Sequence, residues 1–399
     1  MIAETVRPTN VPADRVYDID IYAPSPEGRD YHEAWSRVHA ATDKGLLWTP
    51  RNDGHWFAAR AGTITTILSD YEHFSSRVLF VPRAAGEAHD LAPTTLDPPR
   101  HRPFRTIVNS GLGPKALARV DAMLPSLSGA LIDEFLADGG CNFTRQYAEL
   151  FPIRIFMTIV DLPVADAPTL KAFADQTTRP DGTMSYEDAL RGINAYLEPV
   201  IEARRGGDGE DLLSKIVNGQ VNGEILDNEK AMEMCTQVLI GGLDTVVNML
   251  SFMMLFLGTH EEHQRELAQD RSRIPLFINE LFRRFSIATT GRMVVEDYSF
   301  DGVDLKAGEM VMVPTALHGL DPQVNPDPLR VDLERKAARH SVFGSGNHTC
   351  PGSHLARLEL RATLDQWFDR IPAFRLAPGQ PVRYAGGIVA GVSDVSLTW

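Results

Sequence analysis

The feature that most constrains this chain is the run Phe343-Gly344-Ser345-Gly346-Asn347-His348-Thr349-Cys350-Pro351-Gly352, followed by Ser353-His354-Leu355-Ala356-Arg357. A single cysteine sits in a glycine-rich loop that leads into a helix. Such a loop can hold a thiolate rigidly against a metal. A buried bare thiolate is costly. Three things offset that cost: the charge of a metal ion, backbone N–H groups of a tight loop, and the positive dipole end of the helix starting near Gly352. Gly344, Gly346 and Gly352 allow the turns and a close approach to a flat partner, and Phe343 can cover the sulfur. The competing reading is a buried structural cysteine beside an ordinary turn. Phe, Gly, His, Cys and Gly at fixed offsets outweigh it and point to a haem iron with a cysteine axial ligand.

The other cysteines, Cys141 and Cys235, are remote, and there is no CxxC pair. A disulfide framework or closed zinc site is therefore not expected, and the pattern suits a reducing cytoplasm. With 399 residues the chain can build a sizeable core, and a formal charge of -14 argues against nucleic-acid binding. The N-terminus carries no apolar run for a signal peptide, and the most apolar stretch, Asn248 to Leu257, is too short to span a bilayer. A cytoplasmic protein that meets no membrane is expected.

Hydrophobic spacing predicts a helix over Tyr31 to Asp43 and paired strands at Leu46 to Thr49 and His55 to Ala59, turning at Asn52-Asp53-Gly54. Helical spacing resumes at Gly62 to Leu68. The proline-rich stretch from Leu79 to Pro99 reads as loop. Pro114 to Gly258 is mostly helical. Short strands are expected at Arg292 to Val295, Tyr298 to Phe300 and Met310 to Val313. The expected architecture is mainly α with small β regions, in one domain over 1-399. Its helix-rich core spans about 100-370, and its β-rich region comes from about 46-60, 292-313 and the C-terminal segment.

Phe343, Gly346, Cys350 and Gly352 fit FxxGxxxCxG, and the chain here resembles the cytochromes P450. Glu280-Leu281-Phe282-Arg283 resembles the family's ExxR pair, on one helix face, and the resemblance makes Arg330 its third partner. Gly241-Gly242-Leu243-Asp244-Thr245 interrupts a helical run; its simplest reading is close helix packing, since glycine costs about 1 kcal/mol in a helix. The resemblance instead implies a distal acid–alcohol pair, with Asp244 relaying protons from solvent and Thr245 hydrogen-bonding the oxygen under activation. It further implies that Lys171 and Arg179 hold the acid. Arg105, Arg292 and His348 match propionate-binding positions, and His101 can join them.

Whole-chain similarity is greatest to the camphor-hydroxylating bacterial branch. It implies a triangular helical prism enclosing haem b, and a monomer fed by a [2Fe–2S] ferredoxin and its NADH-dependent ferredoxin reductase. Arg102 and Arg105 match basic positions on the redox-partner face, beside Pro351; Glu72 replaces a further Arg there.

The pocket implied by the resemblance departs from the camphor enzyme. His89 replaces the tyrosine that orients camphor, Gln237 a leucine, Ala288 a valine and Ala92 an isoleucine. Phe80, Thr94, Thr178, Val238, Ile240, Gly241, Ile287, Ile388 and Val389 keep it mainly apolar. The expected activity is insertion of one oxygen atom of O₂ into a small terpenoid or norisoprenoid, ionone-like rather than camphor. Pro351, replacing a leucine, removes a possible N–H donor to the thiolate, or merely pre-sets the first helical turn. Two alternatives stay open: a peroxide-driven peroxygenase, against which Asp244-Thr245 argues, and a haem-thiolate binding or sensing protein without turnover.

Overall fold

The computed structural model describes residues 5–25, 30–87 and 89–399. These form two compact units. The first draws on Met1–Arg102, Asn279–Cys350 and Tyr384–Ala390, the second on Pro103–Ile278, Pro351–Arg383 and Gly391–Trp399.

The first unit is built on a five-stranded sheet with strand order Leu46–Thr49, His55–Ala58, Met310–Pro314, Thr289–Val294, Phe74–Ser75. Leu46 pairs with Ala58 and Thr49 with His55, antiparallel. The turn between them places Asn52 (φ 51°) and Asp53 (φ 68°) in the left-handed region. Asn and Asp tolerate that region better than other side-chain-bearing residues, so Asn52-Asp53 fixes the hairpin register. The His55–Ala58 strand then runs parallel to Met310–Pro314, with Val311 opposite Trp56. Met310–Pro314 in turn pairs antiparallel with Thr289–Val294, setting Val311 opposite Arg292. Both His55–Ala58 and Met310–Pro314 are buried at every position, as strands covered on both faces are. The expected helix begins at Tyr31 and ends at Ala41; Asp30 accepts hydrogen bonds from the His32 and Glu33 amides at its start.

The second unit is helical. Its long elements are Pro114–Asp133, Tyr186–Arg204 and Ser353–Arg370, with Ala167–Thr178 packed against Tyr186–Arg204. Tyr147 is a hub. Its ring stacks between Phe143 and Phe151. Its hydroxyl meets Ser128 Oγ at 2.6 Å and donates to Thr363 Oγ1 at 2.9 Å, which satisfies a polar group that burial would otherwise penalise.

Through this unit runs the pair Asn228–Leu243 and Thr245–Leu257, opened by Asp227, whose side chain accepts from the Lys230 amide. By length and composition Asn228–Leu257 could cross a membrane, a longer run than the sequence spacing suggested. It is instead broken at Asp244, and Val247, Met249, Leu250, Phe252, Met253, Met254, Phe256 and Leu257 are all buried. Burial of each such side chain is worth about 1.5–3 kcal/mol. That is ample to hold helix on both sides of two glycines costing about 1 kcal/mol each.

Candidate functional site

In the first unit the cysteine loop is held by its backbone. Gly344 (φ 72°) and Gly346 (φ 68°) adopt the left-handed conformation. Gly346 also sits tight on the Ala61–Ser69 helix: an added Cβ would lie 3.0 Å from Ser69 Cα and 3.1 Å from Leu68 O. The Cys350 amide donates to Phe343 O at 2.8 Å, closing the loop, and Phe343 packs edge-on against Phe282. Gly352 stands at the start of the Ser353–Arg370 helix without a side-chain cap. Cys350 is exposed, while Cys141 and Cys235 are buried and burial pushes both of their thiols up to about 12. Of the three, Cys350 alone has the access and backbone setting of a metal-binding thiolate.

Two of the expected cationic groups lie together here. The rings of His101 and His348 are 4.3 Å apart between centroids. Arg292 is only 4 % exposed. Its Nη1 donates to Gly291 O at 2.7 Å, and among the described residues no carboxylate pairs with it. Burial pushes its pKa down to about 10, against a weaker opposing pull from Asp97. A buried guanidinium with one carbonyl acceptor is electrostatically incomplete and fits an anionic group such as a propionate. Arg105 lies on the His101–Leu112 helix, where Nε donates to Asn109 Oδ1 at 2.9 Å. Arg102 is exposed.

The ExxR pair forms as expected, but its third partner is different. Arg283 Nε and Nη2 donate to Glu280 Oε1 and Oε2 at 2.8 and 2.9 Å, in a fully buried fork. The further guanidinium is Arg335, whose Nε donates to Glu280 Oε1 at 2.8 Å. Arg330 is exposed and contributes its carbonyl, which accepts from Arg283 Nη2 at 2.7 Å. The chain turns at Asp327 (φ 48°), leaving the Arg330 side chain outside while its backbone faces in.

In the second unit, the helix break falls on Asp244 itself (φ -128°, ψ -41°). Asp244 is completely buried. Arg179 Nη1 donates to its Oδ2 at 2.6 Å, and Nη2 donates to Oδ1. Asn248 Nδ2 donates to Oδ1 at 2.9 Å and to the Asp244 carbonyl at 3.0 Å, and Thr178 Oγ1 reaches Oδ2 at 3.4 Å. Burial pushes the Asp244 carboxyl up, but Arg179, Lys171 and Asn248 together hold it below the usual carboxylate range. Thr245 Oγ1 lies 3.3 Å from Gly241 O, the carbonyl one turn back.

The two glycines differ. A Cβ on Gly242 would overlap the Phe156 ring at 2.2 Å, so Gly242 serves helix packing, whereas a Cβ on Gly241 would meet nothing within 4 Å. Lys171 acts on Asp244 only at a distance: its Nζ pairs with Asp175, at 2.8 and 2.5 Å from the two oxygens. Asp175 lies one helical turn from Lys171, the natural reach of an i,i+4 pair.

A model of the cytochrome P450 family matches residues 184–378. Over 98% of its length the chain is 30% identical to the probable cytochrome P450 127A1 of Sinorhizobium fredii, covering 96% of that protein. The chain belongs to the cytochrome P450 family. It is also similar to the crystal structure of CYP101J2, with 48% identity, a TM-score of 0.91 and 99% of each chain covered. For the crystal structure of CYP101C1 the values are 36% and 0.90, covering 99% of this chain and 100% of that one. The protein is thus a P450 monooxygenase with the mainly α P450 fold and small β regions, whose cofactor is haem b with a cysteine thiolate ligand.

The residues expected around a P450 substrate fall into two groups. In the first unit, Thr289 N donates to Ile388 O and Ala390 N to Ile287 O, both at 2.8 Å, and Ala288 bridges Val389. This joins Ile287, Ala288, Ile388 and Val389 across a hundred residues of sequence. Ala92 is fully buried, while Phe80, His89 and Thr94 are half-buried in the loop region; the His89 carbonyl lies 3.5 Å from Arg77 Nη1. In the second unit, Gln237, Val238, Ile240 and Gly241 lie within little more than one turn of one helix, and Thr178 ends another. Sequence reasoning missed Asn248, Asp175 and Arg335. For Asp175, the four-residue spacing from Lys171 was a usable signal.

Proposed function

We propose that Cys350 is the haem-ligating thiolate and that the protein hydroxylates a small apolar terpenoid or norisoprenoid, ionone-like rather than camphor. The observation that carries the catalytic assignment is the buried Asp244, gripped by Arg179 at a helix break and followed directly by Thr245. Haem b, when bound, supplies oxygen activation, which an electron-donating thiolate favours. Arg292, His101 and His348 would hold its propionates, with Arg105 as a further cation. Phe343, Gly346 and Gly352 shape the loop around the sulfur.

Asp244 would carry protons inward, since a carboxylate held ionised by Arg179 can accept a proton whenever that grip relaxes. Thr245 would present its hydroxyl as the final donor; its 3.3 Å contact to Gly241 O is long enough to exchange readily. Electrons would come from a [2Fe–2S] ferredoxin and its NADH-dependent reductase, docking near Arg102, Arg105 and Pro351. The substrate reading rests on residue types: His89 and Gln237 add polar anchors, and Ala92 and Ala288 add space, within an apolar lining. Residues 1–399 would act as one functional domain.

Asp244→Asn tests the relay: product formation should fall steeply with haem binding intact, and unchanged turnover would overturn the assignment. A spin-state titration tests the substrate. Ionone-like ketones should give the high-spin shift; a full shift with camphor and none with those ketones would sink the reading.

A further inference from the structure

Gly391 opens the Gly391–Ser393 strand, which packs on the Thr245–Leu257 helix. It is buried, and its φ is not among the positive ones of this chain, so the backbone does not demand glycine there. Space does. A Cβ at Gly391 would lie 2.6 Å from Asn248 Oδ1, 3.2 Å from Arg179 Nε and 3.4 Å from Arg179 Cδ. These are the two side chains that grip Asp244.

Neither can step aside cheaply. Asn248 Nδ2 donates to the Asp244 carbonyl and to Oδ1, which are both acceptors. Its Oδ1 must therefore point away from Asp244, and it points at the strand. Rotating Asn248 would break two hydrogen bonds in a residue 5 % exposed and leave buried polar groups unsatisfied, which is costly. Arg179 is tied at both Nη atoms to Asp244, so a push on Nε and Cδ is transmitted to the ion pair.

We infer that Gly391 is a positioning residue that locks the Arg179–Asp244–Asn248 clamp, and that a side chain at this position opens it. The inference rests on the reading of Asp244 as the proton carrier. The charged groups acting on Asp244 are Arg179 directly, with Lys171 and Asp175 further off. The Gly391–Ser393 strand brings none, and Asp394 beyond it pairs with Arg145 at 2.9 Å.

The test compares Gly391→Ala, Asn248→Ala and the double variant in the haem-loaded enzyme. Gly391→Ala should lower product formation about 10- to 100-fold, the scale of a displaced catalytic group. Its crystal structure should show Arg179 separated from Asp244. The acid limb of its pH profile should move to higher pH, because Asp244 loses its cation while staying buried. In the Asn248→Ala background, where the 2.6 Å overlap is gone, adding Gly391→Ala should change turnover less than it does alone. An unchanged ion pair and pH profile in Gly391→Ala would overturn the inference. If Gly391→Ala fails to load haem, the double variant decides: restored loading supports the clamp, and its absence refutes it. Asp244→Asn separates the two readings, since normal turnover there sinks the proton-carrier role itself, whereas impaired turnover with a normal Gly391→Ala sinks this inference alone.

Discussion

Arg335 Nε donates to Glu280 Oε1 at 2.8 Å and so completes the buried charge cluster around Arg283. Glu280 is 2 % exposed and Arg283 is fully buried. Breaking such a cluster leaves charge without compensation, at about 3 kcal/mol. Arg335→Ala should therefore lower the stability of the haem-loaded protein by about 3 kcal/mol in urea denaturation. Arg330→Ala keeps the carbonyl that Arg283 uses and should stay within about 0.5 kcal/mol, as exposed substitutions do. Equal losses for the two variants would contradict the assignment.

What the sequence made legible follows from the range of each interaction. The cysteine loop is a local spacing, and the hairpin at Asn52-Asp53 is a local backbone preference, so the backbone turns of both are legible in the sequence. Glu280 and Arg283 share a helix face, so their pairing also reads directly. Arg335 lies in irregular chain between Asp327 and the cysteine loop, where no periodicity says which arginine turns inward. Lys171 has two carboxylates within electrostatic range, and helical proximity to Asp175 won over the similarity that paired it with Asp244. The run Gly241 to Thr245 reads correctly as a helix interruption, and the break falls on Asp244 within it, while Gly242 packs on Phe156.

The acid response should divide into two windows. His55 is buried in the central sheet, and burial pushes its pKa down to about 4, against weaker pulls from the Arg51 and Asn52 carbonyls. Below pH ~6.5 the unfolded chain protonates this imidazole while the folded chain refuses the proton until about 4, so stability falls as pH drops through that interval. The loss is on the order of 3 kcal/mol for a shift of this size. His32 and His318 shift in the same direction. Asp244 is held low, so its contribution persists above the ordinary carboxylate pKa and fades only below about pH 4. Denaturation midpoints from pH 7 to 4 should fall less steeply in His55→Asn than in the parent; parallel curves would refute the role of His55.

If Cys350 is the thiolate ligand, as proposed, Pro351 bears on it by offering one N–H donor fewer than another residue would. The Cys350 amide is already committed to Phe343 O at 2.8 Å, and Pro351 has no N–H at all. Fewer hydrogen bonds to sulfur leave it more electron-rich, which lowers the iron potential. Pro351→Leu supplies an N–H and should raise the haem reduction potential in a spectroelectrochemical titration. An unchanged potential would leave Pro351 with only its role in starting the Ser353–Arg370 helix.

Arg292 gives a prediction whose sign differs between the two forms of the protein. Its guanidinium is 4 % exposed and donates to Gly291 O, with no carboxylate partner among the described residues. Burying a cation without an anion is costly, and replacing it by an apolar side chain of similar volume removes that cost. Arg292→Met should therefore stabilise the haem-free chain, by about 1–4 kcal/mol on the scale of such replacements. If Arg292 holds a propionate, as proposed, the same substitution removes a charge-assisted partner for it, and the loaded protein should release haem faster to a scavenging apoprotein. Denaturation of the haem-free variant and haem-transfer kinetics of the loaded one check the two halves. A variant that loses stability in both forms would show that Arg292 serves the protein core and not the cofactor.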